Sequence, residues 1–179
     1  MEKSPAKASL SVKEMVVFSL LGAIMFISKQ LLEFLPNIHM LGMLTMVYTL
    51  VYRKKALIPI YVFVLLEGVI AGFSLWWIPY IYIWTVLWLV TMLLPKGLPD
   101  KIAIPVYAVI CALHGLCYGT LYAPFQALMM GLTFKGMVTW IITGLPWDAV
   151  HAAGNLVFGT LIVPLCKLLC KLNTRIDNL

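Results

Sequence analysis

The stretch FQALMMGLTFKGMVTWIITGL, residues 125–145, decides the fold, because it is apolar enough to tempt a membrane span yet is interrupted by Gly131, Lys135 and Gly136. A helix needs about 20 apolar residues to cross a hydrocarbon layer about 30 Å thick. Counted as a seventh span, the stretch would put Lys167, Lys171 and Arg175 outside. Left out, it leaves six spans. With the N-terminus inside, the cytoplasmic segments then carry Lys3, Lys7, Lys13, Arg53, Lys54, Lys55, Lys96, Lys101, Lys167, Lys171 and Arg175, as the positive-inside rule expects. Only Lys29 and Lys135 fall elsewhere. Charge bias therefore favours six helices with both ends cytoplasmic, and residues 125–145 as an interfacial or re-entrant loop buried against protein.

Composition points the same way. Of the 179 residues 63% are hydrophobic and 11% charged, where globular domains are about half apolar and about a quarter charged. Mean hydropathy is +0.99, which argues against a water-soluble fold. The expected fold class is an all-α membrane protein of about six transmembrane helices, a single domain over 1–179 with a cytoplasmic segment 1–13 and a cytoplasmic tail 173–179. The net charge of +6 sits in short groups between apolar runs, which fits orientation in a membrane and not nucleic acid as a partner. Cys111, Cys117, Cys166 and Cys170 form no CxxC and no zinc pattern, so they read as reduced structural residues and no metal is expected. The first apolar run is too long for a signal peptide and has no small-residue cleavage site behind it, so it reads as the first span.

Local signals set the helix limits. Ser11 and Glu14 read as a capping box opening helix 1, which runs to about Leu35 and stops at Pro36. Helix 2 is short, from about His39 to Tyr52. The basic turn Arg53, Lys54, Lys55 leads to helix 3, with Pro59 in its first turn and Gly72 near its end. Helix 4 runs from about Trp76 to Leu94, helix 5 from about Ile102 to Ala123 between Pro105 and Pro124, and helix 6 opens at Pro146-Trp147-Asp148 and reaches about Leu172.

Charges inside lipid need a reason, since one at a helix centre costs about 2.5–3.5 kcal/mol on insertion scales. Lys29 and Glu33 stand one turn apart and read either as an i,i+4 pair that snorkels outward or as part of a site. Glu67 has no opposite charge near it in sequence, so it needs a partner from another helix or a ligand. Asp148 reads as a cap for helix 6, a role that does not exclude ligand contact. His114 and His151 fit satisfied interior histidines as well as functional ones. Asp148, His151 and Asn155 follow one another inward at three- and four-residue spacing. Trp76, Trp77, Tyr80 and Tyr82 cluster where helix 4 meets the outer surface, as belt aromatics or as rings that stack on a ligand. Gly68 with Gly72, and Gly115 with Gly119, have the spacing of close helix packing. There is no G-x-S-x-G, H-E-x-x-H, Walker sequence or G-x-G-x-x-G. The chain cannot hydrolyse ATP by itself, so ATP is no cofactor of this chain and uphill movement of a solute would have to borrow an energy source.

Three stretches, Phe34-Leu-Pro-Asn-Ile-His-Met-Leu-Gly42, Tyr52-Arg-Lys-Lys-Ala56 and Gly144-Leu-Pro-Trp-Asp148, together with size and topology, make nearly the whole chain resemble the substrate-binding S component of an energy-coupling factor (ECF) vitamin transporter, an ABC-type system. The resemblance implies a multi-pass protein of a prokaryotic plasma membrane, not an enzyme. It would capture a water-soluble vitamin or precursor at the outer face and dock on a membrane-embedded T component that carries two cytoplasmic ATPases. That family docks through an Ala-x-x-x-Ala face of helix 1, for which Ser19-Leu-Leu-Gly-Ala23 is the nearest equivalent, with serine in place of the first alanine. With the polar residues above, the resemblance implies a substrate site of Glu67, Trp77, Tyr80, Asp148, His151 and Asn155. Acids and histidines beside aromatics suit a pyrimidine, pyridine or thiamine-like ring, with cobalamin equally open. Two other classes remain: an intramembrane hydrolase or transferase pairing Glu67 with His114 or His151, and a carrier that works alone.

Overall fold

The computed structural model describes residues 10–177. The first nine residues of the expected N-terminal segment, with Lys3 and Lys7, and the last two of the tail lie outside the described residues. The helices are α1 (Val12–Leu31), α2 (Leu41–Tyr52), α3 (Leu57–Ala71), α4 (Ile78–Leu93), α5 (Asp100–Leu116), α6 (Tyr118–Met130), α7 (Phe134–Gly159) and α8 (Ile162–Asp177), with a 3-10 turn at Arg53–Ala56. No strand occurs among the described residues. α5 and α6 continue one another as a 31-residue helix, Asp100–Met130, and α7 and α8 form a pair bent by 50°. The eight helices therefore make six rods, the number the charge pattern favours.

Local chemistry accounts for most limits. The Ser11 side chain accepts the Glu14 N–H while Glu14 reaches back to the Ser11 N–H, closing the expected capping box. α1 ends at Leu31, earlier than expected, and tight turns carry the chain through residues 32–37, where Asn37 takes the left-handed conformation at φ 59°. Gly72 ends α3 at φ 92°, a conformation that suits a residue with no Cβ. Arg53 also has positive φ, 55°, and is held from both sides: its guanidinium donates to the Met92 carbonyl at 2.8 Å and its own carbonyl accepts from the Trp88 indole at 3.1 Å.

The proline boundaries expected late in the chain do not occur. Pro124 lies inside α6, and Pro146 lies in the middle of α7 instead of opening a helix. Residues 125–145 are not a re-entrant loop; they form the end of α6, a three-residue turn and the start of α7. An internal proline removes one hydrogen bond at a cost of about 3 kcal/mol, whereas ending a helix there strands up to about four carbonyls. The real stop is Gly131, left-handed at φ 62°, after which the Leu132 N–H bonds the Ala127 carbonyl at 2.9 Å. The real start is Thr133, whose hydroxyl accepts the Gly136 N–H at 3.2 Å. Gly136, which reads as an interruption, is thus the donor of a cap. The expected last helix is itself broken at residues 160–161, between α7 and α8.

Short α2 is the centre of the molecule, with Leu41 through Thr49 all buried, and it packs on α1, α4, α5, α7 and α8. The most extensive helix pair is α5 with α7. A Cβ on Gly159 would lie 2.6 Å from the Ala108 Cα, and one on Gly115 would lie 2.8 Å from the Asn155 amide. Gly115 and Gly119 therefore serve one interface. Gly68 and Gly72 do not, since Gly68 lies under Phe73 and Trp77 while Gly72 ends the helix.

The two ends of the bundle differ in chemistry. Lys13 at the start of α1 bonds the Ile176 carbonyl near the end of α8, Lys55 pairs with Glu14, and Lys167 pairs with Asp100. Both described chain ends thus lie at one basic end. The sides between the ends are apolar: Leu20, Ile24 and Ile27 of α1, Leu65 and Val69 of α3, Val109 and Leu113 of α5, and Val157 of α7 are exposed. By length and composition one described helix, Asp100–Met130, can cross a membrane, or two if the bent pair counts as one span. α2, α3 and α4 are shorter, at 12, 15 and 16 residues.

Candidate functional site

At the end away from Lys13 and Arg175, five elements enclose a cavity of about 190 Å³. α1 contributes Lys29, the following loop Glu33 and His39, α4 Tyr80, α6 Tyr118 and α7 His151. The turns after α1 place His39: the Leu35 N–H bonds the Leu32 carbonyl and the Ile38 N–H bonds the Leu35 carbonyl, at 2.9 and 3.1 Å. This folds the chain back over the bundle so that the His39 imidazole meets that of His151 edge to face, with ring centres 4.4 Å apart. Tyr118 lies 4.9 Å from His151 on the other side.

Behind this pair stands Trp84, fully buried. Its ring centre is 5.9 Å from His39, 5.8 Å from His114, 5.9 Å from Tyr80 and 6.1 Å from Tyr118. Four ring nitrogens of this cluster, His39 Nδ1, Trp84 Nε1, His114 Nδ1 and His151 Nε2, are buried with no hydrogen-bond partner among the described residues. A buried polar group without a partner costs about 1–3 kcal/mol, and folded domains have only about 5–15 kcal/mol in total. Four in one cluster is an arrangement that asks for polar company. Of the four, those on His39 and His151 belong to residues that line the cavity.

The charges near the cavity are arranged around it. The Glu67 carboxylate, fully buried on α3, accepts from the Lys29 ammonium at 2.7 Å and from the Gln30 amide at 3.5 Å. Lys29 therefore pairs across helices with Glu67 and not along its own helix with Glu33, and Glu67 has the partner from another helix that its sequence context demands. Asp148 is an acid at a helix N-terminus, though not of its own helix. Its two oxygens accept the Gly119 N–H at 3.1 and 3.2 Å, at the first turn of α6. Gly119 is glycine for this reason, since a Cβ there would lie 2.5 Å from Asp148 Oδ2.

Of the six expected substrate residues, Tyr80 and His151 line the cavity. Glu67 stands one contact behind it, through Lys29. Trp77 donates its indole N–H to the Val64 carbonyl at 2.7 Å and packs on Phe73. Asn155 is buried with its amide on the Cys111 carbonyl at 3.1 Å, and its Oδ1 has no partner. His114 bonds the Ile83 carbonyl at 3.1 Å through Nε2. The acid/base pairing of Glu67 with a histidine is not formed: the bonds of its carboxylate go to Lys29 and Gln30. Tyr82 and Tyr122 tie α4 to α6 by bonding the carbonyls of Leu121 and Trp76, at 2.9 and 3.0 Å.

Sequence reasoning missed His39, Trp84 and Tyr118 as site residues. A signal existed for Trp84, because it stands four residues after Tyr80 and so shares one face of α4 with it. The same spacing links His114 with Tyr118 and His151 with Asn155. Among the described residues no group of three or more His, Cys, Asp or Glu is placed to hold a metal ion. A larger opening, about 450 Å³, lies at the basic end beside Arg53, Lys96, Asp100 and Lys167. Its lysines are exposed, Lys167 is paired with Asp100, and no buried unpartnered polar atom faces it. The chemistry therefore favours the smaller cavity. No known protein family, curated protein or solved structure matches the chain.

Proposed function

We propose that the chain is the substrate-binding membrane subunit of an ECF-type vitamin transporter, which captures a water-soluble vitamin or precursor in the His39–His151 cavity and passes it inward when docked on a T component with two cytoplasmic ATPases. The observation that carries the reading is this cavity: a pocket with unpartnered imidazole nitrogens, at the end of an apolar-sided helical bundle opposite its basic end. Positive charge favours the cytoplasmic side, so the cavity faces outward, where a scarce nutrient is met. Lys29, His39, Tyr80, Tyr118 and His151 contact the solute, and Glu67 holds Lys29 in place. The Lys29–Glu67 pair is tolerated within the membrane region because each charge has its partner.

Docking falls to the outer face of α1. Gly22 packs inward, where a Cβ would lie 2.5 Å from a Val62 methyl carbon of α3. Ser19, one turn before it, is exposed, beside exposed Leu20 and Ile24, and Ala23 is half-buried. Small side chains there let a partner helix approach closely.

The test is purification of the tagged chain from bacterial membranes in mild detergent. The expected result is a vitamin-class small molecule by mass spectrometry and co-purification of a T component with two ATPases. Solute uptake into liposomes holding this chain alone, at the rate of intact membranes, would overturn the proposal in favour of a solo carrier.

A further inference from the structure

The electrostatics of the cavity restrict what it can take. Among the described residues the only cation lining it is Lys29, and the Lys29 ammonium is 2.7 Å from the buried Glu67 carboxylate. A helix N-terminus is the other common device for holding an anion. The one that lies here, the start of α6, already faces the Asp148 carboxylate through the Gly119 N–H. At the mouth, Glu33 is exposed and its carboxylate has no partner among the described residues. Lys29, Glu67 and Glu33 together leave one negative charge. An anion entering this cavity would lose hydration, find no free cation and face Glu33.

The hydrogen-bonding groups define the rest. His151 is 3% exposed and its Nε2 has no partner in the protein. His39 Nδ1 is also unpartnered, and the two rings lie 4.4 Å apart. Like charges this close repel, so the pair does not present two positive imidazoliums. A neutral imidazole nitrogen donates or accepts according to tautomer. Two neutral imidazoles with ring centres 4.4 Å apart at the cavity wall therefore suit a ligand that carries both a donor and an acceptor, as an azine ring nitrogen with an amino or amide group does. The faces of Tyr80 and Tyr118 favour a flat ligand. The volume, about 190 Å³, is below the roughly 300 Å³ at which pockets begin to hold drug-sized molecules, so one ring fits and a fused polycycle does not.

We infer that the cavity binds a single-ring nitrogen heterocycle that is neutral or cationic and never anionic, with its donor and acceptor groups toward the His39 and His151 imidazoles and any positive substituent beside Glu33. The inference deepens the proposed function and rests on its reading of this cavity as the capture site. It excludes carboxylate vitamins and macrocycles.

The test is isothermal titration of the full-length protein in lipid nanodiscs with two matched series of probes. One is nicotinate, nicotinamide and 1-methylnicotinamide; the other is orotate, cytosine and 4-amino-5-aminomethyl-2-methylpyrimidine. At least one neutral or cationic probe should bind saturably, and its anionic counterpart should bind at least about tenfold more weakly, the loss expected for one unmet charged hydrogen bond. His151→Gln should weaken binding about tenfold for neutral and cationic probes alike. Glu33→Gln, at an exposed position that the fold does not need, should weaken only the cationic ones. An anion that binds as tightly as its neutral counterpart, a panel in which nothing binds, or affinities untouched by His151→Gln and His39→Gln would each overturn the inference. Failure of the transport reading looks different. If the panel binds as stated but no T component or ATPase ever co-purifies, the ligand class stands and the transporter does not. If a carboxylate co-purifies together with the ATPases, the reverse holds.

Discussion

Lys29 and Glu67 show why a charge must be read with its tertiary neighbours. The two are 38 residues apart in sequence, and neither helical spacing nor hydropathy joins them; only the packing of α1 on α3 does. The pair is half-sheltered, with the lysine side chain 24% exposed and the acid fully buried. Removing one partner should therefore matter more than removing both. Glu67→Gln should destabilise the protein by about 1–3 kcal/mol, the penalty for stranding a polar group, and Lys29→Met with Glu67→Leu should recover part of that loss. Thermal unfolding of the wild type, Lys29→Met, Glu67→Leu and the double variant in detergent is the measurement, and additive losses would show that the two side chains do not interact. Asp148 makes the complementary case. Asparagine can accept the Gly119 N–H as aspartate does, so Asp148→Asn should shift stability by under about 1 kcal/mol, whereas Asp148→Ala should lose about 0.5–2 kcal/mol, the range for a lost cap. Gly119→Ala should be worse than either, because its Cβ would collide with the carboxylate. Circular dichroism melts would rank the three.

At the scale of elements, helix starts with side-chain chemistry were legible, and so were those marked by Pro59 and Pro79 in the first turns of α3 and α4; the boundaries expected at Pro124 and Pro146 were not. The Ser11–Glu14 box declares itself in four letters, and Thr133 with Gly131 would have done so had the pair been read as a stop followed by a start. Pro124 and Pro146 misled because a proline penalises a helix by one bond, while the apolar surroundings penalise an open end by several. The site was half legible. Helical spacing brought Asp148, His151 and Asn155 to one face of α7, and those three meet Gly115 and Gly119 of the neighbouring rod. His39 was hidden because it sits on a loop whose path is set by turns and by the left-handed Asn37, neither of which has a periodicity. α1 has its own outcome to offer. Ala23→Leu, on the face that Gly22 leaves free, should reduce recovery of the T component and ATPases in a pull-down about tenfold, while titration of a bound probe with the isolated protein stays within about twofold. A large loss of probe affinity with assembly intact would mean that this face belongs to the site.

For the molecule as a whole, six rods with both described ends together and the basic residues gathered beside them is the arrangement that the charge pattern favours. The sidedness is open to a direct measurement. In intact cells a membrane-impermeant thiol reagent should label Lys135→Cys, at the start of α7, and should reach Arg175→Cys, near the end of α8, only after permeabilisation. Both variants are made in a background without the four native cysteines. Labelling of residue 175 from outside would mean that the bundle sits the other way round, with its basic end outward.

The lengths of α3 and α4 carry a last consequence. At about 1.5 Å per residue, their 15 and 16 residues reach about 23 Å, several ångströms short of a hydrocarbon layer of about 30 Å. In the membrane setting of the proposed function, lipids beside this flank would compress or tilt to meet them, and each ångström of misfit would store a fraction of a kcal/mol in the bilayer. A body that strains its surroundings on one side is already biased to lean. On the proposed function a bilayer would act as a spring on this chain, and the acyl-chain length of the host membrane would set how hard it pulls.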